Sequence, residues 1–299
     1  LDCCRVYRAA SCAHCGGRPG ARAVTIATRD QLIGALATNS SRIIIDKASL
    51  ASMIAGRMAS LWRATGQPGQ GAIPTTPALC TKALTGAIGF TNQTAPASNY
   101  LAFLSMLSSN ATTSVEFHDR IAHMGGLSLV LTTAQTVGLD LAALSVPAER
   151  LGETDYSDLQ WWLEVYADGG ATASNATVNV TFNDGSTGNL SVIPVGGTLR
   201  IGAMLGLAGY RTAAQQALKI RAVNSVTLSA STAAAGNVGI TVTRPRTTIA
   251  LNVANKSEVS DWALLGLPEV PNDACLVPMV WCSTTSTGVL RGIGKIAHG

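Results

Sequence analysis

Residues 175–192 read NATVNVTFNDGSTGNLSV. Val178, Val180 and Phe182 alternate with Thr177, Asn179 and Thr181, the period of two of a half-buried strand. Asp184-Gly185 then supplies the positive φ angles of a tight hairpin, and Leu190 and Val192 resume the alternation. The segment therefore reads as one hairpin of a two-faced sheet, with Val178, Val180 and Phe182 on the buried side.

The same grammar extends in both directions. Residues 100–107 (YLAFLSML) and 113–118 (TSVEFH) read as strands paired across 108–112, and 127–137 (LSLVLTTAQTV) as a third. Residues 159–166 (LQWWLEVY) read as a strand leading into the hairpin, with a short helix as the alternative. Residues 223–230 and 238–242 bracket a turn at Gly236-Asn237. Residues 274–281 and 288–296 form a last pair, and Pro278 places the first of these at an edge or a bulge. Roughly ten short strands at this spacing predict a mainly β protein, a β-sandwich or jelly-roll-like fold over 100–299. A division into two sub-domains near residue 150 fits the lengths.

The chain before residue 100 is different. Residues 25–66 read as a short helical N-terminal region. Thr28-Arg29-Asp30 caps a helix through Leu36, RIIID (42–46) is a brief β-branched run, and Asp46 caps a second helix. In that helix Leu50, Met53, Ile54, Arg57, Leu61 and Trp62 form a packing face, and Gly66 and Pro68 stop it. Residues 67–99 are an extended Gly/Pro/Thr-rich connector, either running over a neighbouring subunit or folded back on its own domain. Residues 1–24 hold Cys3, Cys4, Cys12, His14 and Cys15 of a total of seven cysteines. They could be read as a zinc knuckle, but the Cys4–Cys12 spacing is short and GGRPGARA is too flexible to close a metal shell. A flexible or partner-bound arm, or an upstream extension of the reading frame, is the preferred reading. The odd cysteine count argues against a full disulfide framework.

Composition narrows the functional classes. Hydrophobic residues make up 47% and charged residues 13%, about half the usual charged share. A freely diffusing monomer normally carries more charge; a secreted neutral β-protein is the bland alternative to one that buries its surface against other subunits. The net charge of +4 is mild, and no basic run interleaved with aromatics marks direct nucleic-acid binding. No apolar stretch is long enough to span a membrane, and the N-terminus lacks an apolar signal region. Folding in the cytoplasm is the expectation.

Chemical motifs are scarce. Glu116, His118, Asp119, Arg120 and His123 form one titratable cluster, in VEFHDRIAHMGG. Glu116 and His118 could share a strand face, but no third ligand completes a metal shell. The preferred reading is an Asp119-Arg120 corner ending a strand, with His123 to Gly126 as its turn. No nucleophile elbow, phosphate loop or dinucleotide fingerprint is present. Gly292-Ile293-Gly294-Lys295 looks like a phosphate-loop fragment but lies in an alternating strand. Glu153, Asp155 and Asp158 precede Trp161 and Trp162, and together these could line a sugar site; burial of the two tryptophans would instead favour a scaffold. The expectation is a non-enzymatic protein without cofactor or metal. Trp161, Trp162, Asp119, Arg120 and His123 are its candidate interaction residues.

SVEFHDRIAHMGGL (114–127) with the following TTAQTV, RAVNSVTLSASTAAAGNVGITVTRP (221–245) and PNDACLVPMVWCSTTSTGVLRGIGKIAHG (271–299) together resemble a pattern in uncharacterised structural proteins of tailed bacteriophages. With Gly66 to Gly71, the resemblance spans roughly residues 30–299; residues 1–24 have no counterpart. It implies a virion component acting through subunit contacts, a head-associated cement, decoration or minor capsid subunit in preference to a tail or collar part. The implied partners are copies of itself and other virion proteins such as a major capsid protein. The competing class is a carbohydrate- or host-surface-binding β-module.

Overall fold

The computed structural model describes residues 25–197 and 199–299; the cysteine-rich arm at 1–24, with its zinc-knuckle and flexible-arm readings, lies outside the described residues. The chain begins with helix α1 (Arg29–Thr38), followed by strands β1 (Ser40–Lys47), β2 (Met58–Ser60), β3 (Gly66–Gln67), β4 (Ala78–Leu79), β5 (Asn99–Ser108), β6 (Thr113–Leu127) and β7 (Gln135–Asp140). A single helical turn, α2 (Ala148–Leu151), leads to β8 (Gln160–Ala167), β9 (Ala173–Phe182), β10 (Thr187–Asn189), β11 (Ile193–Gly196) and β12 (Met204–Gly206). The last part holds β13 (Ile220–Leu228), β14 (Asn237–Leu251), β15 (Glu258–Asp261), α3 (Trp262–Leu265), β16 (Glu269–Val270), β17 (Leu276–Trp281) and β18 (Leu290–His298). The fold is mainly β, as expected, and is built from three antiparallel sheets.

A seven-stranded sheet, in the order β12-β8-β14-β6-β17-β2 with β4 also on β6, backs the other two. One of its faces contributes to two hydrophobic cores. Ile121, Leu163, Val165, Ile240 and Val242 pack with Val178, Val180, Phe182, Val223 and Val226 of the five-stranded sheet. Val115, Phe117, Ile249, Leu251 and Val280 pack with Ile43, Ile45, Leu101, Leu104 and Ile296 of the six-stranded sheet. The two halves thus meet in the middle of β6 and β14, because these 15-residue strands run through both. A division near residue 150 does not describe this arrangement.

The hairpin is as read. Val178, Val180 and Phe182 are buried, and β10 returns against β9 with Thr187 opposite Thr181. Most long-range pairings differ from expectation. β5 and β6 do not pair: β5 joins β18, β15 and β16, whereas β6 joins β14, β17 and β4. Likewise β17 and β18 lie in different sheets, and so do β13 and β14. Neighbouring alternating runs predict hairpins only when a two-residue turn holds them; the longer connections here cross between sheets. Residues 127–137 are not one strand, since β6 ends at Leu127 and β7 starts at Gln135. Pro278 lies inside β17 but next to the edge strand, just past the three residues that β2 pairs.

α1 forms where its cap predicts it. The Thr28 hydroxyl accepts from Gln31 N, and the Gln31 side chain accepts from Thr28 N, closing a capping box. The second helix does not form. Ser52 and Gly56 hold left-handed φ angles of 59° and 77°, which interrupt any helical run. The apolar residues that mimic a helical face are drawn to separate places: Met53 packs with Ala59 and Cys282, Leu61 enters the second core, and Met58 packs beside Trp162. Sheet contacts override local propensity here. The 67–99 connector takes the second of its two readings and folds back on its own domain: Cys80 N donates to Ile121 O at 2.9 Å, Gly125 N to Pro74 O at 2.9 Å, and Ile88 N to Leu276 O at 2.9 Å.

β1 turns Ile43, Ile45 and Lys47 inward. The Lys47 ammonium is buried without a carboxylate and donates to the carbonyls of Ala64, Pro68 and Gly69 at 3.0, 2.7 and 3.2 Å. Burial brings its pKa down from 10.5 to about 8. Between these values the unfolded chain binds more protons at this site than the folded chain, so its burial cost falls as pH rises through the window. The stability difference between wild type and Lys47→Met, from urea unfolding below pH 8 and near pH 10.5, is expected to move toward the wild type at the higher pH. A constant difference would show that Lys47 titrates normally.

Phe182→Ala is expected to destabilise by about 3–5 kcal/mol, as for a fully buried ring. Asn179, on the opposite face, donates to Asn189 Oδ1 at 2.7 Å and accepts from Asn224 Nδ2 at 2.9 Å, linking three strands. Asn179→Ala is therefore expected to cost about 0.5–1.5 kcal/mol. Denaturant unfolding of the two variants measures both; equal losses would remove the two-faced sheet.

Candidate functional site

The five candidate interaction residues all sit in or beside the seven-stranded sheet, and all are buried. Asp119, Arg120 and His123 do not form a corner and a turn. They occupy the middle of one continuous strand, β6, because β14 and β17 pair with it on both sides. Two bulges shape this region. Ile121 is the extra residue on β6 between the pairs Ala122–Val242 and Arg120–Thr243, and Arg246 is the extra residue on β14 between Pro245–His118 and Thr247–Phe117. A bulge bends its strand and re-aims side chains. The one at Ile121 brings Arg120 and His123 together, with Arg120 Nε donating to His123 Nδ1 at 3.1 Å.

Arg120 is the centre of a buried polar ladder. Its Nη2 donates to Glu164 Oε2 at 2.7 Å, to the Tyr166 hydroxyl at 2.5 Å and to Thr241 Oγ1 at 3.0 Å. Its guanidinium lies 4.6 Å from the Trp62 ring centroid, and Trp62 meets His123 edge-on at 5.5 Å. Trp62 itself fits between Gly71 and Gly86: a Cβ at either would stand 2.1 and 2.5 Å from the indole. Burial alone would push Glu164 up, but the Arg120 charge and its hydrogen bond hold the carboxyl below its ordinary value. Burial likewise opposes the Arg120 charge, and Glu164 outweighs it, raising that pKa. Tyr166 is driven well above 10.0, first by burial. The ladder is thus a charged, proton-locked structural unit.

Asp119, one residue earlier, faces the other way. It lies between Phe117 of one core and Ile121 of the other. Arg150 of α2 clamps it with two hydrogen bonds, Nε to Oδ2 at 3.0 Å and Nη2 to Oδ1 at 2.6 Å. The bulged Arg246 adds a contact at 3.3 Å, and Cys275 N donates to Oδ1 at 2.9 Å. Arg150 also donates to the carbonyls of Cys80 and Arg120. Every polar atom of the Asp119 carboxylate is therefore engaged inside the protein.

Glu116 and His118 do share a face. His118 Nε2 lies 2.8 Å from Glu116 Oε2, and its Nδ1 lies 3.0 Å from Thr243 Oγ1. The His118 hydrogen bond is the first cause of a lowered Glu116 pKa, with the Trp281 indole adding to it at 2.5 Å. Thr243 also accepts from Trp162 Nε1 at 2.9 Å. Among the described residues, no group of three or more His, Cys, Asp or Glu is arranged to hold a metal.

An open groove of about 690 Å³ adjoins this end of the sheet, lined by Arg57, Met58, Trp161, Trp162, Tyr210 and Trp281 among others. Trp161 and Trp162 are 4% and 8% exposed and so serve as its floor, whereas Trp281 is 40% exposed. The carboxylates expected beside the tryptophans are absent from the lining. Asp158 instead pairs with Arg244 at 2.7 Å, and Asp155 accepts from Ser157 N in its own turn. That separation removes the arrangement on which a sugar site built from Glu153, Asp155, Asp158 and the Trp pair depends.

Sequence reasoning missed Arg150, Glu164, Tyr166, Thr241 and Thr243. Each is distant in sequence from Arg120 or Asp119; the β14 register brings Glu164, Tyr166, Thr241 and Thr243 to the ladder, and α2 brings Arg150 to Asp119. One signal was available: Glu164 and Tyr166 alternate with apolar residues in LQWWLEVY, so a carboxylate sits on a strand that is buried on both faces.

No protein-family model matches the chain, and no curated protein matches it. Among solved structures, the Gt strain of infectious bursal disease virus is 11% identical, covering 89% of this chain and 86% of that one at a TM-score of 0.16. The VP2 subviral particle of the same virus is 9% identical, covering 87% and 79% at 0.15. Likenesses at these scores carry no argument about fold or function.

Replacing Arg120 by Met leaves Glu164 buried without its cation, and urea unfolding is expected to show a loss of about 3–5 kcal/mol. Adding Glu164→Leu is expected to recover much of that loss, because the uncompensated charge is then gone. Arg244→Ala, at a half-exposed pair, is expected to cost under about 1 kcal/mol. Equal losses for Arg120→Met and Arg244→Ala would show that the ladder is solvated.

Proposed function

We propose that the chain is a non-enzymatic structural subunit of a virus particle, acting through contacts with copies of itself and with other virion proteins. Within that class, a head-associated cement, decoration or minor capsid subunit of a tailed bacteriophage is the reading that the sequence resemblance supports. The charged residues that could do chemistry are consumed in holding the sheets together. Arg120, Asp119 and Glu164 are enclosed by partners, and His118 is fully buried. The burial of Trp161 and Trp162 favours a scaffold over a sugar-binding module.

The observation that carries the reading is an uncovered apolar row on the outer face of the six-stranded sheet. Ile44 of β1 opposes Ile293 of β18, Ile293 opposes Ser105 of β5, and Ser105 opposes Val259 of β15. Ile44, Ile293 and Val259 are 53%, 39% and 57% exposed. α1 covers only one end of this face, where Leu32 packs on Ala102 and Ala297. Exposed apolar residues that line up on an open sheet face favour a protein–protein contact.

Light scattering across a concentration series is expected to show multimers for the wild type and a shift toward monomer for Ile44→Glu/Ile293→Glu, with an unchanged unfolding transition. Val259→Glu, on the edge strand, is expected to act in the same direction should the double variant fold poorly. A wild type that stays monomeric at every concentration, or variants that assemble equally well, would overturn the reading.

A further inference from the structure

β4 and β17 lie end to end along one edge of β6. β4 pairs Ala78 and Leu79 with His123 and Ala122, and β17 pairs Leu276 with Asp119. At the junction, Cys80 N donates to Ile121 O at 2.9 Å, and Arg120 N donates to Cys275 O at 2.8 Å. Cys80 and Cys275 therefore stand opposite consecutive residues of β6, from chain segments that no peptide bond joins there. Both side chains enter one packed cluster with Trp62, Tyr166 and Val277, both are fully buried, and both are free thiols. The His123 ring borders the same cluster, 5.5 Å from the ring of Trp62.

We propose that Cys80 and Cys275 are a latent intrachain disulfide, closed by exchange with a low-molecular-weight disulfide when the protein leaves a reducing compartment. The surroundings assign the roles. Burial pushes the Cys80 thiol up, but the neighbouring Cys275, His123 and Arg120 side chains carry it well below its ordinary value. Burial and the neighbouring sulfur push Cys275 well above. The Cys80 thiolate attacks one sulfur of the external disulfide and releases one small thiolate, leaving a mixed disulfide on Cys80. Cys275, losing its proton to the released thiolate, then attacks the Cys80 sulfur and expels the second small thiolate, which takes up the Cys80 proton. Two protein thiols become one disulfide, and one external disulfide becomes two small thiols. The bond would fasten the connector that covers Trp62 to the strand leading into β17. It is available only through folding, or through opening of the segment around Cys80, because neither sulfur reaches solvent.

The test refolds the full chain in a buffer of oxidised and reduced glutathione and maps disulfides by mass spectrometry of non-reduced peptides. The expected result is a linked pair of peptides holding Cys80 and Cys275, lighter by two hydrogen atoms than the sum of the free peptides. The oxidised form should melt at a higher temperature, and a reductant should reverse the shift. Cys275→Ala should abolish both, and Cys282→Ser should abolish neither. Prolonged incubation of protein that has never been unfolded, with the same glutathione buffer, gives a second measurement should refolding fail, and it should yield the same linked pair. Recovery of Cys80 and Cys275 as free thiols under both treatments, or their pairing with Cys3, Cys4, Cys12, Cys15 or Cys282, would overturn the proposal.

Discussion

Two opposite charges on consecutive residues of β6 organise this protein. Alternation along a strand sends neighbouring side chains to opposite faces. Asp119 therefore points into the seam between the two cores, and Arg120 into the layer beneath the connector. Each is neutralised by residues from other elements: Arg150 and Arg246 on one side, Glu164 with two hydroxyls on the other. Buried charges are tolerated when paired and hydrogen-bonded, and here each has its counter-charge, although Glu164 Oε1 and Arg246 Nε have no hydrogen-bond partner. The positions of α2, β8 and β14 relative to β6 are thereby tied to one another. A one-residue slip would turn the buried apolar set to the wrong face, and it would break these bonds as well.

The bulges serve the same arrangement. The one at Ile121 puts Arg120 and His123 on one face of β6, and the one at Arg246 leaves that residue unpaired beside Asp119. The connector completes the arrangement. The ladder lies on the sheet face turned away from both cores, and it would meet water if nothing covered it. Trp62, held between two glycines, covers the guanidinium, and Cys80 and Ala87 close the rest. A Gly/Pro-rich composition suits such a cover, because the backbone must pass very close to an indole ring on both of its faces.

Legibility in the sequence tracks how local the cause is. The Thr28 cap, the 175–192 hairpin and strands β5, β8 and β18 were readable because a cap, a tight turn or a clean alternation fixes each within a few residues. The sheet order was not, since strands from distant parts of the chain alternate in every sheet. The false helix over Lys47 to Gly66 had helical spacing by coincidence; Ser52 carries no composition signal for its left-handed angle. VEFHDRIAHMGG was rightly marked as the main titratable cluster, but its polarity suggested a strand end. Its true position, at the centre of the longest ladder, depends on partners up to 165 residues away, such as Trp281 with Glu116.

This placement of charge also explains the composition. A chain with 13% charged residues has few to spare for its surface, and here several of the strongest are spent inside. The outer face of the six-stranded sheet is left with Ile44, Ile293 and Val259, relieved by polar contacts such as Ser105 with Ser257 at 2.8 Å and by the ion pair Arg291–Asp46 at 3.0 Å. Such a face exposes apolar area in a monomer and becomes favourable once another surface covers it. Rigid interior ion pairs and a sparsely charged exterior are then two sides of one allocation. The interior fixes the shape that the exterior presents, and the exterior keeps little charge that would have to be desolvated on assembly.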